Sequence, residues 1–257
     1  MYEKRVKEKN MIFGLRAIIE AVDAGKEFDK VCVRRELDGA LARELIEKLR
    51  RHAIPTQRVP AEKLNRLTDK NHQGAVAFLS AIEYKRIDDI VPMLYEQGRT
   101  PLVVLLDGIT DVRNFGAIAR TCECAGIDAL VVPTNGGASV NADAIKTSAG
   151  ALHTLPVCRE QSLHNCVSYL QKCGIRVVAA TEHATHGYTE CDFTLPTAIV
   201  MGAEDTGVSP DILRICDDKV SVPILGRIES LNVSVAAGIV VYEAVRQRQH
   251  NQISTLK

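Results

Sequence analysis

Five near-continuous apolar runs follow residue 100, and they constrain the fold more than any other feature of the chain. The runs are PLVVLLD (101–107), ALVVP (129–133), RVVAAT (176–181), TAIVMG (197–202) and KVSVPIL (219–225). Runs of this kind are typical of parallel strands that are covered on both faces. Because helical segments separate them, the sequence predicts an α/β domain built on a doubly covered parallel sheet.

The segments that follow these runs contain most of the glycines and amides of this half of the chain. They are DGITDVRNFGAIAR (107–120), PTNGGASVNAD (133–143), TEHATHG (181–187), GAEDTGVS (202–209) and LGRIESLN (225–232). Ligands of open parallel sheets bind at the carboxyl ends of the strands, so we expect the functional site among these segments. Neither G-x-G-x-x-G nor G-x-x-x-x-G-K-[ST] occurs, which excludes the two standard phosphate-binding loops.

The closing stretch, 233–244, is almost entirely apolar, and a polar turn with Arg227, Glu229, Ser230 and Asn232 precedes it. A helix that is apolar on nearly all sides is a buried helix. We expect Ser230 to cap this helix. A helix N-terminus also favours anionic groups, so the same turn is a candidate wall of a binding site.

The first part of the chain alternates short helical and strand patterns over about 80 residues, which is an ordinary domain size. We predict an α/β domain over 1–80, a linker over 81–100 and the parallel-sheet domain over 101–257. The linker has an apolar stripe at helical spacing, Ile87, Ile90, Val91 and Leu94, but Pro92 interrupts it.

Charge is uneven although the formal net charge is zero. Residues 1–80 carry 17 Lys and Arg against 12 Asp and Glu, which suggests a polyanionic partner for the first domain. Its candidate contacts for such a partner are Arg34, Arg35, Arg50, Arg51, Lys70, Asn71 and His72, although a solvated surface explains each of them at least as well. Aromatic residues make up only 4% of the chain, which argues against a platform of many stacked rings.

The eight cysteines are scattered without a C-x-x-C pair, so we expect them to be reduced and mostly buried, in a cytoplasmic protein. The N-terminus has charge but no apolar core of signal-peptide length. No run approaches membrane-spanning length, so we expect no membrane association. His183 and His186 lack a matching ligand pair at zinc spacing, so we expect no metal.

Three stretches carry a family resemblance: RNFGAIARTCECAGID, IVMGAEDTGVS and VSVPILGRIESLNVSVAAGIVVYEA. They resemble, in order, the N-x-G-A-I-x-R, G-x-E-x-x-G and P-x-x-G…S-L-N-V-S motifs of the SpoU family in the SPOUT superfamily of RNA ribose 2′-O-methyltransferases. The resemblance covers 101–250. Residues 11–22 and 70–78 are similar to the small L30e-like RNA-binding domain of members that methylate a guanosine ribose in 23S rRNA.

The resemblance implies a SPOUT fold, in which a trefoil knot is threaded through the parallel sheet, preceded by the L30e-like domain. It also implies S-adenosylmethionine as cofactor, RNA as substrate and a homodimer formed through the knot domain. A knot would not follow from packing rules, which treat threaded chains as nearly absent. Two alternatives stay open: a tRNA ribose methyltransferase, and a non-catalytic RNA-binding factor of ribosome assembly.

The motifs assign candidate residues by position. Arg120 matches the motif arginine, and because an arginine is very hard to deprotonate we expect it to orient the ribose and stabilise the developing oxyanion. Glu204 is expected to pair with Arg120, and Asn114 is either a helix cap or a site residue. The remaining catalytic candidates are Asn232 and Ser230. The cofactor-binding candidates are Gly202, Val222, Leu231, Ile224, Met201 and Thr181. Gly202 and Gly207 are expected to let the backbone approach the cofactor closely. For the five candidates other than Gly202, plain core packing is an equal alternative.

Overall fold

A computed structural model describes residues 11–255, with side chains described up to residue 250. The chain divides into two compact units: the main boundary falls after Glu83, and Val140–Ala142 also group with the first unit. The prediction that the N-terminus lacks a signal-peptide core concerns a segment whose first ten residues, 1–10, lie outside the described residues. No helix in the described part is long and apolar enough to cross a membrane.

The first unit is a four-stranded sheet with helices on both faces. Its elements are β1 (Met11–Phe13), α1 (Leu15–Asp23), β2 (Phe28–Arg34), α2 (Ala40–Arg51), β3 (Thr56–Val59), α3 (Ala61–Leu67) and β4 (Ala75–Leu79). The sheet order is β1-β4-β2-β3, with β4 antiparallel to both neighbours and β3 parallel to β2. Helices α1 and α2 bury their apolar stripes on one face, and α3 packs against β2 and β4 on the other.

The second unit is built on a seven-stranded sheet, in the order β7-β6-β5-β10-β8-β11-β9, in which every pair of neighbours is parallel. Its strands are β5 (Leu102–Asp107), β6 (Ala129–Pro133), β7 (Val157–Glu160), β8 (Arg176–Ala180), β9 (His186–Gly187), β10 (Thr197–Gly202) and β11 (Asp218–Ser221). The first four apolar runs form β5, β6, β8 and β10, and the fifth contributes its first residues, Lys219–Ser221, to β11, so the predicted parallel sheet is confirmed. The rest of the fifth run, 222–225, lies outside the strand. Strands β7 and β9 were not among those runs, because both are short and only partly apolar.

Helices lie on both faces of this sheet, as the apolar runs require. They are α4 (Ile87–Glu96), α5 (Val112–Cys124), α6 (Ala142–Thr147), α7 (Leu163–Lys172), α8 (Pro210–Ile215) and α9 (Val233–Thr255). Helices α4, α7 and α8 contribute to one core together with β5, β6, β8 and β10. Helix α9 packs against α5 and β10. All eight cysteines are free and five are buried, as predicted.

Helix α4 lies within the segment predicted to be a linker. Pro92 lies inside this helix, and the four apolar residues noted in the sequence are all buried in the core of the second unit. Their burial on one face stabilises the helix despite the hydrogen bond that the proline cannot donate. The segment from Tyr84 to Ser139 therefore belongs to the second unit.

Helix α9 is less buried than its composition suggested. Its buried apolar residues form one stripe, Val233, Ala237, Val240, Val241 and Ala244. On the other side, Val235 is 50% exposed and Tyr242 is 49% exposed. The expectation of a helix buried on all sides is therefore wrong for the single chain, because α5 and β10 cover only one side of it.

Candidate active site

The centre of the sheet contains a topological switch point. Strands β5 and β10 are neighbours in register, with Gly202 opposite Asp107 at their carboxyl ends. From β5 the chain continues to β6 on one side, whereas from β10 it continues toward β11 on the other. Such a reversal opens a crevice at the carboxyl ends of the two strands. Asp107–Asn114 and Gly202–Ser209 leave the sheet at this point.

The loop after β10 is closed by two backbone hydrogen bonds, 3.1 Å and 2.9 Å long, between Ala203 and Gly207. A Cβ atom at Gly202 would overlap the backbone of Gly207 and Val208, so only glycine fits there. The Ser209 N–H donates to Asp107 Oδ2 at 2.7 Å, which ties the loop to β5. This arrangement fixes the position of Glu204. Sequence reasoning missed Asp107, although it is the polar residue that ends an apolar strand.

Three predicted residues from three different motifs meet in one hydrogen-bond network. The Asn232 side-chain amide donates to Asn114 Oδ1 at 3.0 Å and to Glu204 Oε1 at 2.5 Å. The Val233 N–H also points to Glu204 Oε1, at 3.4 Å. A carboxylate beside the first N–H groups of α9 is favoured by the helix dipole. The network therefore joins the loop after β10 to the N-terminal ends of α5 and α9.

The helix caps differ from the sequence predictions. Asn232 caps α9, since its Oδ1 accepts from the Ser234 N–H at 3.0 Å and from the Ser234 hydroxyl at 2.5 Å. Ser230, the predicted cap, is exposed and makes no hydrogen bond within residues 11–255, because the helix begins two residues too late for it.

Helix α5 is capped by Asp111, whose carboxylate accepts from the N–H groups of Arg113 and Asn114 at 2.9 and 2.8 Å. The cap role considered for Asn114 is therefore wrong, and its side chain is available to Asn232. An aspartate directly before a helical pattern is a strong cap signal that sequence reasoning could have used.

Arg120 lies apart from this network. Its side chain is exposed, and within the described chain that side chain makes no hydrogen bond or ion pair. It follows Asn114 by six residues on α5, which is about 9 Å along the helix axis. The expected ion pair with Glu204 does not form, because the Glu204 carboxylate is bonded to Asn232 instead.

The cofactor-binding candidates lie at or just beyond the carboxyl ends of β8, β10 and β11, except Leu231, which lies two residues before α9. Thr181, Met201 and Gly202 are buried, Val222 is half-buried, and Ile224 and Leu231 are exposed. The chain from Pro223 to Leu231 makes no backbone hydrogen bond within the described residues. Along it, Leu225 is 96% exposed and Ile228 is 78% exposed. Free main-chain donors and acceptors beside apolar side chains suit a ligand with a flat apolar ring and a polar edge, such as adenine.

The RNA-binding candidates of the first unit fall into two groups. Arg34 and His72 are both hydrogen-bonded to Gly74 at the carboxyl end of β2. The backbone N–H of Arg34 donates to the Gly74 carbonyl at 2.8 Å, and the backbone N–H of Gly74 donates to His72 Nδ1 at 3.0 Å. Arg35 and Lys70 adjoin them in sequence. We call Arg34, Arg35, Lys70 and His72 the basic edge.

Arg50 and Arg51 lie elsewhere, at the end of α2 and before the start of β3. Thr56, the first residue of β3, pairs with Val31, three residues before Arg34. The two arginines are therefore near the opposite ends of these strands from the basic edge. Arg51 is paired with Glu47 at 3.2 Å.

Two further observations limit the chemistry of the described residues. They contain no group of three His, Cys, Asp or Glu side chains that could hold a metal ion. Burial raises the pKa of the Cys122 thiol, on α5, to about 12. This thiol therefore stays protonated at neutral pH and packs as an apolar side chain.

Comparison with known proteins agrees with this geometry. Residues 101–242 match the model of the SpoU rRNA methylase family, and residues 11–85 match the substrate-binding model of RNA 2′-O-ribose methyltransferases. One relative is a Staphylococcus saprophyticus protein whose name places it in the TrmH family of tRNA/rRNA methyltransferases. The two sequences are 31% identical over 95% of this chain and 98% of the length of that protein.

The 23S rRNA (guanosine-2′-O-)-methyltransferase RlmB of Vibrio parahaemolyticus is 41% identical over 69% of this chain and 72% of its own. Among solved structures, the SpoU methyltransferase AviRb of Streptomyces viridochromogenes in complex with AdoMet is similar, with a TM-score of 0.60. It is 29% identical, covering 93% of this chain and 90% of that one. The chain belongs to the SpoU family of RNA methyltransferases.

Proposed function

We propose that this protein transfers a methyl group from S-adenosylmethionine to a ribose 2′-hydroxyl of RNA, and that its substrate is a guanosine of 23S rRNA. The observation that carries the proposal is the network of Asn114, Glu204 and Asn232 at the switch point of the sheet. The RNA methyltransferase class follows from the family. The choice of guanosine and of 23S rRNA is based on the similarity to RlmB, which covers 69% of this chain.

The cofactor, S-adenosylmethionine, supplies an electrophilic methyl group to this site. The free main-chain groups and exposed apolar side chains of Pro223–Leu231 would hold its adenine, and the buried ends of β8 and β10 would close the pocket behind it. The same cofactor is bound in AviRb. The N-terminus of α9 favours the carboxylate of such a ligand.

The chain's own residues have distinct tasks in the reaction. The 2′-oxygen must be held in line with the methyl group in a site from which water is excluded. The Arg120 guanidinium binds the ribose and stabilises the negative charge that develops on this oxygen. The proton of the hydroxyl passes to an RNA phosphate or to water, since a guanidinium does not accept it from a neutral hydroxyl. Asn232, fixed by Asn114 and Glu204, presents an oriented amide to the substrate.

We also propose a homodimer formed through the second unit, on the trefoil-knotted sheet of the SPOUT superfamily. The half-exposed residues Val235 and Tyr242 of α9 support it, because a partner protomer would bury them. A partner also provides a way for Arg120 to reach a network that it does not touch in its own chain. Sedimentation equilibrium of wild type and Tyr242→Glu tests this: the wild type should be a dimer and the variant a monomer.

The free, mostly buried cysteines support a reducing, cytoplasmic location.

The direct test is methyl transfer from labelled S-adenosylmethionine to three unmodified RNAs: 23S rRNA, 16S rRNA and bulk tRNA. Label in 23S rRNA that protects the adjacent linkage against alkaline cleavage supports the proposal. Label in tRNA instead would mean that the substrate is a tRNA and that the proposed methyl transfer is right; the name of the Staphylococcus saprophyticus relative covers both kinds of RNA. A folded protein that binds cofactor and labels neither naked RNA nor ribosomal particles would be a binding factor, and the proposed activity would be wrong.

A further inference from the structure

The placement of the phenylalanines distinguishes one face of the first unit. The chain has five phenylalanines. Phe28, Phe115 and Phe193 are buried in the cores. The other two, Phe13 and Phe78, are only partly buried, and both lie on the sheet face that carries α3. The overall scarcity of aromatic residues, which argues against stacking, therefore conceals a local concentration.

Strand pairing places the two rings side by side. In the antiparallel pair β1–β4, Met11 lies opposite Phe78 and Phe13 lies opposite Val76. Phe13 and Phe78 are therefore diagonal neighbours on one face, within reach of each other. Both pack against a small cluster formed by Cys32, Val59, Leu64 and Val76. Helix α3 packs against β2 and β4, whereas α1 and α2 occupy the opposite face.

Each ring has a lysine ammonium above it. Lys30 Nζ lies 5.5 Å from the centroid of Phe78, and Lys70 Nζ lies 5.4 Å from that of Phe13. A third lysine, Lys63 on α3, is on the same face: both it and Lys30 lower the pKa of the Cys32 thiol, against the larger effect of burial, which raises it. Within the described residues none of the three ammonium groups has a carboxylate partner in an ion pair.

We propose that these five residues, Phe13, Phe78, Lys30, Lys63 and Lys70, form an RNA-binding face that takes an unpaired stretch of the substrate. The inference deepens the proposed function and rests on it. The rings would stack on exposed bases, and the flexible lysines would move from the rings to the phosphates. In a double helix the bases are already stacked and their faces are hidden, so the face selects single-stranded RNA.

The test uses the full chain and a fluorescent single-stranded RNA of about ten mixed nucleotides, with the duplex of the same sequence for comparison. The wild type should bind the single strand more tightly. The double variant Phe13→Leu/Phe78→Leu keeps apolar packing but removes the rings, and should raise the Kd for the single strand roughly 5- to 100-fold. The variant Phe13→Tyr/Phe78→Tyr keeps the rings and should stay near wild type.

Three results would overturn the proposal: an unchanged Kd in the leucine variant, an equal loss in the tyrosine variant, or a wild-type preference for the duplex. Lys30→Gln and Lys70→Gln should each lower the slope of log K against log salt by about 0.7. Lys48→Gln is the matched control, since Lys48 pairs with Asp23 on the helices of the opposite face, and it should leave the slope unchanged.

Methyl transfer separates this inference from the function on which it rests. On the preferred RNA substrate the leucine variant should raise KM and leave kcat unchanged. If the wild type methylates RNA and the leucine variant has the same KM, this face is not the binding site and the proposed function stands. If the wild type methylates no RNA, the proposed function fails, while the oligonucleotide measurement still decides whether the face binds single strands.

Discussion

The three lysines of the proposed RNA-binding face in the first unit and the network of Asn114, Glu204 and Asn232 in the second unit differ in their partners inside the chain. In the first unit Lys30, Lys63 and Lys70 form no ion pair with a carboxylate within the described residues, although Lys63 Nζ donates to Gln57 Oε1 at 3.5 Å. In the second unit Asn114, Glu204 and Asn232 are hydrogen-bonded to one another. The first arrangement leaves charge available to a ligand. The second fixes side chains before any ligand arrives, which is how a catalytic site reduces the cost of reorganisation.

The two arrangements should affect different kinetic parameters. Exposed, unpaired cations gain their stabilisation from RNA phosphates, so their contribution depends on salt and changes affinity. A preorganised polar network changes the rate of the bound complex, because its orientation matters mainly in the transition state. Substitutions in the two units should therefore separate into effects on KM and effects on kcat.

The largest effect on kcat is expected at Arg120. This residue is an exception to the difference between the two units, because it is an unpaired cation in the second unit. If it stabilises the oxyanion, Arg120→Ala should lower kcat by about 100- to 1,000-fold. Cofactor affinity, measured by calorimetry, should not change. A variant that raises KM alone would place Arg120 with the binding cations of the first unit.

Gly202→Ala should come next, because it destroys the geometry that fixes Glu204. The new Cβ would overlap the backbone of Gly207 and Val208, which are not free to move away. We expect a loss of at least about 1–3 kcal/mol in unfolding free energy and of most of the activity. Gly226→Ala is the control, since its Cβ would meet nothing within 4 Å. Equal urea midpoints for the two variants would contradict the geometry of the loop.

Asn232→Ala removes both a helix cap and the centre of the network. We expect the cap to account for about 1 kcal/mol of stability and the loss of the oriented amide to lower kcat about tenfold. Thermal melts and steady-state kinetics measure the two effects separately. Ser230→Ala tests the neighbouring candidate, and we expect no change in stability because Ser230 caps nothing. A loss of activity in that variant with unchanged stability would assign Ser230 to the substrate.

The smallest effects are expected at the arginine candidates of the first unit. Arg34→Gln/Arg35→Gln should weaken RNA binding several-fold and lower the salt slope by about 0.7–0.9 for each phosphate that the two arginines neutralise. Arg50→Gln/Arg51→Gln, near the opposite ends of the strands, should have a smaller effect, because Arg51 is already paired with Glu47. The salt dependence of binding, compared between the two double variants, decides which group binds RNA. The reverse order would assign RNA binding to the end of α2.

Much of the fold could be predicted from the sequence, because the apolar runs are long and the sheet that they form is covered on both faces. The rule for the carboxyl ends of parallel strands predicted the edge of the sheet at which Asn114, Glu204 and Asn232 meet. Helix caps could not be assigned with the same certainty: Ser230, Asn232, Asp111 and Asn114 are all good caps, and the choice depends on where each helix begins.

Side-chain partners were harder to predict than elements. Glu204 was expected to pair with Arg120, the opposite charge, but the loop after β10 directs it to a neutral amide. The basic and aromatic face of the first unit was missed, because a count of aromatic residues does not reveal that Phe13 and Phe78 share one face. Both errors concern residues that are distant in sequence, where only strand order and register determine contact.

The most direct test of this division is one kinetic comparison on the preferred RNA at saturating cofactor. The account predicts that Phe13→Leu/Phe78→Leu raises KM at constant kcat, whereas Asn232→Ala lowers kcat at nearly constant KM. If both variants change the same parameter, the two units do not divide binding and catalysis in this way, and the central claim is wrong.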